Sequence, residues 1–152
     1  DRKIEAGLGL GADRMINYRE TEVEQYLERE TAGKGYDVVF DTVGGNCLDD
    51  SFRAARIGGT VVSIAARSTH DLTPVHLKSL SLHVVFMLLP ILRDEGREKH
   101  GEILGELRRL AEEGKLKPLL HEEVFDFQDV GRAHDLLESG KAMGKVALRA
   151  NW

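Results

Sequence analysis

The stretch Tyr36-Asp37-Val38-Val39-Phe40-Asp41-Thr42-Val43-Gly44-Gly45 decides the fold. Its first six residues form a short apolar run bounded by turn residues, the pattern of a strand buried on both faces of a parallel sheet. The glycines that follow let a ligand approach the backbone closely. Asn46 can cap the helix that comes next, and the start of that helix offers free amides. This helix carries Leu48, Phe52 and Ala55 on one side and is expected to end at Gly58-Gly59. Residues 60–65 then read as a second buried strand and residues 82–87 as a third. A polar connection joins them, with a helical turn after Pro74.

The pattern continues on both sides of this core. Upstream, Ile4 and Leu8 share a helical face, and Gly11 suits a left-handed cap. Arg14-Met15-Ile16-Asn17-Tyr18 reads as a short strand. Thr21-Glu22-Val23-Glu24 is a capping box with Thr21 as the cap, opening a helix to about Thr31 with Val23 and Leu27 inward. Gly33 and Gly35 stop it. Downstream, residues 97–113 form an amphipathic helix whose stripe is Ile103, Leu104, Leu107, Leu110 and Ala111, ended by Gly114. Val124-Phe125 is extended. Asp126 caps a helix through Val130, Ala133, Leu136 and Leu137, closed by Gly140, and residues 145–149 are a last strand. Strands alternating with helices imply α/β architecture, a doubly wound parallel sheet whose ligands bind beyond the carboxyl ends of its strands. The loops to watch are Tyr18-Arg19, Thr42-Val43-Gly44-Gly45, Ala65-Ala66-Arg67 and Phe86-Met87-Leu88.

Composition narrows the function. The chain has 152 residues and a net charge of −5, the wrong sign for a nucleic-acid binder that relies on phosphate contacts. The longest apolar run, residues 84–92, is about half the ~18 residues of a membrane span and contains Pro90. Cys47 is the single cysteine, which excludes an internal disulfide and a cysteine-rich zinc site. The cytoplasm is the natural compartment for such a chain. The six histidines, His70, His76, His83, His100, His121 and His134, are scattered without a zincin-type pair, and His83 inside an apolar strand reads as a packed residue. There is no G-x-S-x-G elbow and no Ser-His-Asp order in the sequence that suggests a triad. Asp49-Asp50 and Glu112-Glu113 read as solvated helix faces. Gly7-Leu8-Gly9-Leu10-Gly11 ends a helix instead of opening one, so it is not a phosphate loop. At Tyr18 and Arg19, a phenol and a guanidinium end a strand and can hold an anion.

Four separated motifs carry a resemblance. Gly11-Ala12-Asp13-Arg14-Met15-Ile16-Asn17-Tyr18-Arg19, the 36–45 stretch, Gly58-Gly59-Thr60-Val61-Val62-Ser63, and the tail Gly144-Lys145-Val146-Ala147-Leu148 follow in the order and spacing of the medium-chain dehydrogenase/reductase superfamily. Within it the chain resembles the zinc-free quinone oxidoreductase branch. The resemblance implies an incomplete Rossmann-like sheet lacking its first two strands, with a C-terminal helix-strand segment. Residues 1–120 would be the partial dinucleotide-binding domain, and residues 121–152 the segment returning to a catalytic domain. In the family order 3-2-1-4-5-6 the absent strands lie between the third and fourth. The 14–18 segment is therefore expected to lose its neighbour, and the 36–41 strand to become an open edge.

The resemblance also implies a cofactor, NADPH, and residues that bind it. Lys3 and Tyr18 match positions that resemble a clamp on the 2′-phosphate, where an ammonium and a hydroxyl suit an added dianion. Thr42, Val43 and Gly44 resemble the turn near the adenosine side. Ala65, Ala66, Phe86 and Met87 resemble the strand ends that flank the nicotinamide, and Lys145 matches a basic residue of the closing motif. No catalytic residue and no metal ligand is implied within this chain. The implied reaction is hydride transfer to a quinone or activated double bond, with a quinone, enone or aldehyde as the small-molecule substrate. Taken alone, the chain is expected to be inactive. Nucleic acid and membrane are not expected partners, whereas a homodimer through the 82–87 edge strand is. Alternative readings are a non-enzymatic scaffold relative, a zinc-type alcohol dehydrogenase, or the enoyl reductase unit of a larger synthase.

Overall fold

The computed structural model describes residues 2–151. They fall into two compact units, one up to Glu95 and one from Gly96.

In the first unit a parallel sheet has the order β1-β2-β3, with β1 at Tyr36–Asp41, β2 at Ala55–Ser63 and β3 at Ser81–Val84. Helices α1 (Arg2–Gly9) and α2 (Val23–Thr31) precede it, α3 (Asn46–Ala54) joins β1 to β2, and α4 (Thr73–Leu77) lies between β2 and β3. A short α5 (Leu89–Arg93) follows. The expected α/β class, with a partial Rossmann-like parallel sheet, is the architecture observed.

The core lies on one face of the sheet. Leu48 and Phe52 from α3 pack on Ala55 and Val61 of β2, with Val39, Val75 and Leu80 around them. Val23 and Leu27 of α2 meet Ala54, Tyr26, Tyr36 and Val39. The opposite face is open. Val38 and Phe40 are each 62% exposed, so β1 is buried on one face where its apolar run implied two. The reason is positional. Among the described residues no element of this unit covers the side to which Val38 and Phe40 point, whereas Tyr36, before the register shift, packs on α2.

Other expectations are corrected locally. Residues 14–18 form no strand; they run irregularly into a turn, because no neighbour strand supplies their backbone partners. The α2 capping box is real but is made by Glu22 and Gln25, one position beyond Thr21. Gly45, not Asn46, occupies the α3 cap, and α3 ends at Ala54 instead of reaching Gly58-Gly59. Those glycines lie inside β2 at a bulge. Tyr36 pairs with Ala55 and Val38 with Thr60, so β2 carries three extra residues between these pairings. Arg56 in the bulge grips Asp37 at 2.5 Å. β3 stops at Val84, and His83 is exposed, not packed.

Lys78 closes the carboxyl end of α3. Its Nζ donates to the carbonyls of Phe52 (3.2 Å), Arg53 (2.6 Å) and Ala55 (2.9 Å), groups that the helix leaves without partners. Burial pulls the Lys78 ammonium below its ordinary pKa.

In the second unit α6 (Glu98–Glu112) is followed by β4 (Leu120–Asp126), a 3-10 turn at Phe127–Asp129, α7 (Val130–Glu138) and β5 (Lys145–Arg149). β4 and β5 pair in parallel. Asp126 precedes the 3-10 turn without a side-chain cap bond, so the expected cap on α7 is absent. Phe125 and Ala133 are buried between strand and helix, and the Arg132 guanidinium stacks 5.3 Å from the Phe125 ring centre. Among the described residues no helix is long and apolar enough to cross a membrane.

The one-faced core makes a testable contrast. Phe52→Ala is expected to cost about 3–5 kcal/mol in urea unfolding, whereas Val38→Ala on the open face should cost under about 1 kcal/mol. Equal costs would mean that both faces are covered in solution.

Candidate edge at the carboxyl ends of the strands

β1 ends on a buried carboxylate. Asp41 follows an apolar run and precedes a glycine-containing turn, the setting in which an Asp side chain folds back on the following backbone. Its Oδ1 accepts from the amides of Val43 (3.1 Å) and Gly44 (2.9 Å). Its Oδ2 accepts from the Ser63 hydroxyl of β2 at 2.6 Å. Ser63 Oγ in turn accepts from the Ala65 amide at 3.1 Å. The ladder runs on past the strand ends, with Ile64 N–H donating to the Asp41 carbonyl and Val85 N–H to the Ser63 carbonyl. One carboxylate thus ties the loop after β1 to the loop after β2, and the next backbone bond ties that loop to the one after β3.

The fit between the first two loops is close. Gly44 has φ +77°, and a Cβ there would lie 2.2 Å from the Ala65 carbonyl oxygen. Only glycine allows the two chains to pass. Gly45, also at positive φ, faces open space.

Burial pushes the Asp41 carboxyl up. The bonds from Gly44, Ser63 and Val43, with a smaller electrostatic contribution from His70, outweigh burial and hold it below its ordinary value. Both of its oxygens are occupied by donors from its own turn and from Ser63, and it is buried, so it is a structural group and not a base for a ligand.

The sequence-derived positions are distributed as follows. Thr42, Val43, Gly44, Ala65 and Ala66 come together on this edge, and Phe86 and Met87 continue from Val85, which is bonded to Ser63. Thr42, Val43, Phe86 and Met87 are exposed, while Ala66 packs partly against the core. Lys3 lies on the exposed side of α1. Tyr18 is 80% exposed in the turn after the irregular segment, with the Arg19 guanidinium 5.9 Å from its ring centre. Lys145 opens β5 in the second unit, where its amide donates to Leu119. Asp41 stands in the motif that the sequence marks, but the sequence assigns no role to its side chain or to Ser63, which together build the edge. The signal was available: a carboxylate closing an apolar strand immediately before Thr-Val-Gly-Gly.

The edge offers small side chains, exposed backbone and apolar surface, with no free acid or base. Such a surface positions a flat, partly apolar ligand; it does not transfer protons. A separate cleft of about 480 Å³ opens at the amino ends of β1 and β2, lined by Leu27, Lys34, Arg53, Ala55, Ile57 and Lys78.

Comparison with known proteins places this geometry. A family profile described as zinc-binding dehydrogenase matches residues 10–148. A highly reducing polyketide synthase from Emericella nidulans is 29% identical over 143 residues, covering 92% of this chain and 6% of the synthase. The crystal structure of an alcohol dehydrogenase superfamily protein from Novosphingobium aromaticivorans superposes with a TM-score of 0.88 at 36% identity, covering 97% of this chain and 46% of that one. The structure of Escherichia coli quinone oxidoreductase complexed with NADPH superposes with a TM-score of 0.82 at 30% identity, again over 97% and 46%. The chain therefore spans less than half the length of these oxidoreductases and a small part of the synthase.

The Asp41 lock has a stability signature. Asp41→Ala leaves the Ser63 hydroxyl and two amides without their acceptor and is expected to cost about 2–3 kcal/mol. In the wild type the folded pKa lies below the unfolded one. The carboxylate's contribution is therefore fully present above the ordinary carboxylate range and is lost as pH falls through the folded value. Acid titrations of unfolding free energy should show this slope in the wild type and a shallower one in Asp41→Ala.

Proposed function

We propose an NADPH-dependent oxidoreductase function for this chain, which belongs to the zinc-binding dehydrogenase family of the medium-chain dehydrogenase/reductase superfamily. The observation that carries the reading is the edge where Asp41 and Ser63 hold the 42–44 and 65–66 loops together. It is supported by likeness to a quinone oxidoreductase solved with NADPH.

The residues present fit a dinucleotide. The Gly44 turn and Gly45 give close backbone approach on the adenosine side, and Thr42 and Val43 present exposed contacts beside them. Ala65, Ala66, Phe86 and Met87 flank the nicotinamide with small or apolar groups. Lys3 and Tyr18 hold the 2′-phosphate, which an ammonium and a phenol hydroxyl suit by charge and hydrogen bonding. The bound nicotinamide supplies hydride chemistry. The chain's share is to orient the coenzyme and exclude water from its apolar side. The acceptor is a quinone or an activated double bond, and the protein that contains the whole site works as a homodimer through the β3 edge, in the cytoplasm. By itself the chain does not carry the complete reaction.

The family name implies zinc. Among the described residues no group of three or more His, Cys, Asp or Glu side chains is placed to hold a metal ion, and the Cys47 thiol is exposed and single. These residues do not fit zinc, so no role in this chain is assigned to it.

A second reading is favoured by the synthase relative: this chain as part of an enoyl reductase unit of a larger synthase. The coenzyme surface is the same; the acceptor becomes an enoyl group carried on the synthase.

The test uses the protein with its whole coenzyme site, reduced nicotinamide and either a quinone or an enoyl thioester. Acceptor-dependent oxidation of NADPH faster than of NADH is expected. Lys3→Glu should raise the KM for NADPH about 10- to 100-fold, the loss of a charge-assisted contact, and leave that for NADH nearly unchanged. An equal effect on both coenzymes would refute the phosphate clamp, and the better acceptor decides between the two readings.

A further inference from the structure

A second polar constellation lies further along the loop after β2, past the Ala65-Ala66 pair. The loop after β2 carries Ser68, and His70 follows two residues later. Ser68 Oγ stands 2.6 Å from His70 Nε2, and His70 Nδ1 stands 2.8 Å from Asp49 Oδ1 on α3. The imidazole is only 8% exposed and meets the Phe52 ring edge-on at 6.2 Å. Ser68 is exposed. The sequence order hides this group, because Asp49 precedes the other two by about twenty positions and no elbow motif marks the serine.

The donors and acceptors fix the tautomer. A carboxylate can only accept, so Nδ1 carries the hydrogen that it receives. In the neutral ring Nε2 then presents its lone pair, and the nearest group to it is the Ser68 hydroxyl. The ring cannot swing away without giving up Asp49 and the packing on Phe52. A base held in one orientation against an exposed hydroxyl is the arrangement that activates a serine nucleophile. The Ser68 and Thr69 amides donate to nothing among the described residues, which leaves backbone donors available near the hydroxyl.

We propose that Ser68, with His70 as its base and Asp49 orienting the ring, is a nucleophilic site that accepts acyl groups from activated carboxylic esters and thioesters. Ser68 Oγ bonds to the carbonyl carbon while its proton passes to His70 Nε2. The bond from carbon to the leaving oxygen or sulfur then breaks, and the leaving group takes the proton from His70. The product is an ester on Ser68, and water releases the acid by the same two steps in reverse roles. No electrons change hands and no further reactant is needed. This assignment is independent of the oxidoreductase reading and requires no nicotinamide.

The experiment treats the 152-residue chain with a fluorophosphonate and maps the adducts by mass spectrometry over time. The phosphonyl group bonds to Oγ, fluoride leaves, and the hydroxyl proton goes to His70. Ser68 should label at least about tenfold faster than the exposed Ser79, within the range a positioned base supplies. His70→Gln and Asp49→Asn should each bring Ser68 down toward the Ser79 rate. Thermal unfolding of each variant checks that the fold persists. p-Nitrophenyl acetate should leave an acetyl group on Ser68 and none in Ser68→Ala. Labelling of Ser68 at the Ser79 rate in the folded wild type overturns the proposal. So does undiminished labelling in a folded Asp49→Asn; the three residues would then serve only to hold the loop on α3.

Discussion

A carboxylate withdrawn from water at the end of β1 sets the geometry of everything around it. Left without partners, Asp41 would cost several kcal/mol, so the chain must bring donors to it. Two come from its own turn and one from the neighbouring strand. Meeting that demand forces a backbone turn at Val43-Gly44, requires a residue without Cβ at position 44, and brings the Ser63–Ala65 segment against it. The carboxyl edge is therefore not a set of independent loops. It is one bonded strip across three strand ends, and its rigidity is what fits it to hold a ligand in one pose.

The remainder of the first unit serves that strip from below. α3 rises from the Gly44-Gly45 turn, buries Leu48 and Phe52 against β2, and is closed at its far end by Lys78. The same helix that begins at the carboxyl edge also presents Asp49 to His70, so the loop after β2 is held twice, through Ser63 and through His70. The open face of β1 is the counterpart. Val38 and Phe40 are apolar and exposed, because among the described residues no element of this unit covers that face of the sheet.

Much of this was legible in the residues. The 36–41 and 145–149 strands, the inward Val23 and Leu27, and the glycine turn after Asp41 all announce themselves by periodicity and turn chemistry. Where the reading failed, the cause was tertiary. Residues 14–18 have strand-like composition, but a strand needs a partner that local sequence does not report. The apolar run of β1 cannot tell one covered face from two. Gly58-Gly59 resembles a helix terminus, yet it serves a bulge, because register with β1 outranks local preference. His83 lies in an apolar run and is nevertheless exposed, since nothing covers β3 there. The Asp41–Ser63 and Asp49–His70 bonds join residues about twenty positions apart, a distance at which spacing carries no signal. The placement of Lys3, Tyr18 and Lys145 on a coenzyme came from family likeness alone, whereas the 42–44 and 65–66 loops also meet in space.

A surface of small residues and backbone groups suits chemistry in which the cofactor does the difficult step and the protein supplies orientation. The Asp41-locked strip is the seat we propose for that coenzyme. The most direct measurement is an amide-resolved NMR titration of the 152-residue chain with NADPH, wild type against Asp41→Asn. Saturable shifts at Thr42, Val43, Gly44, Ala65 and Ala66 are expected in the wild type, weakened in the variant. Shifts confined to the cleft at the amino ends of β1 and β2, or identical in both proteins, would contradict it.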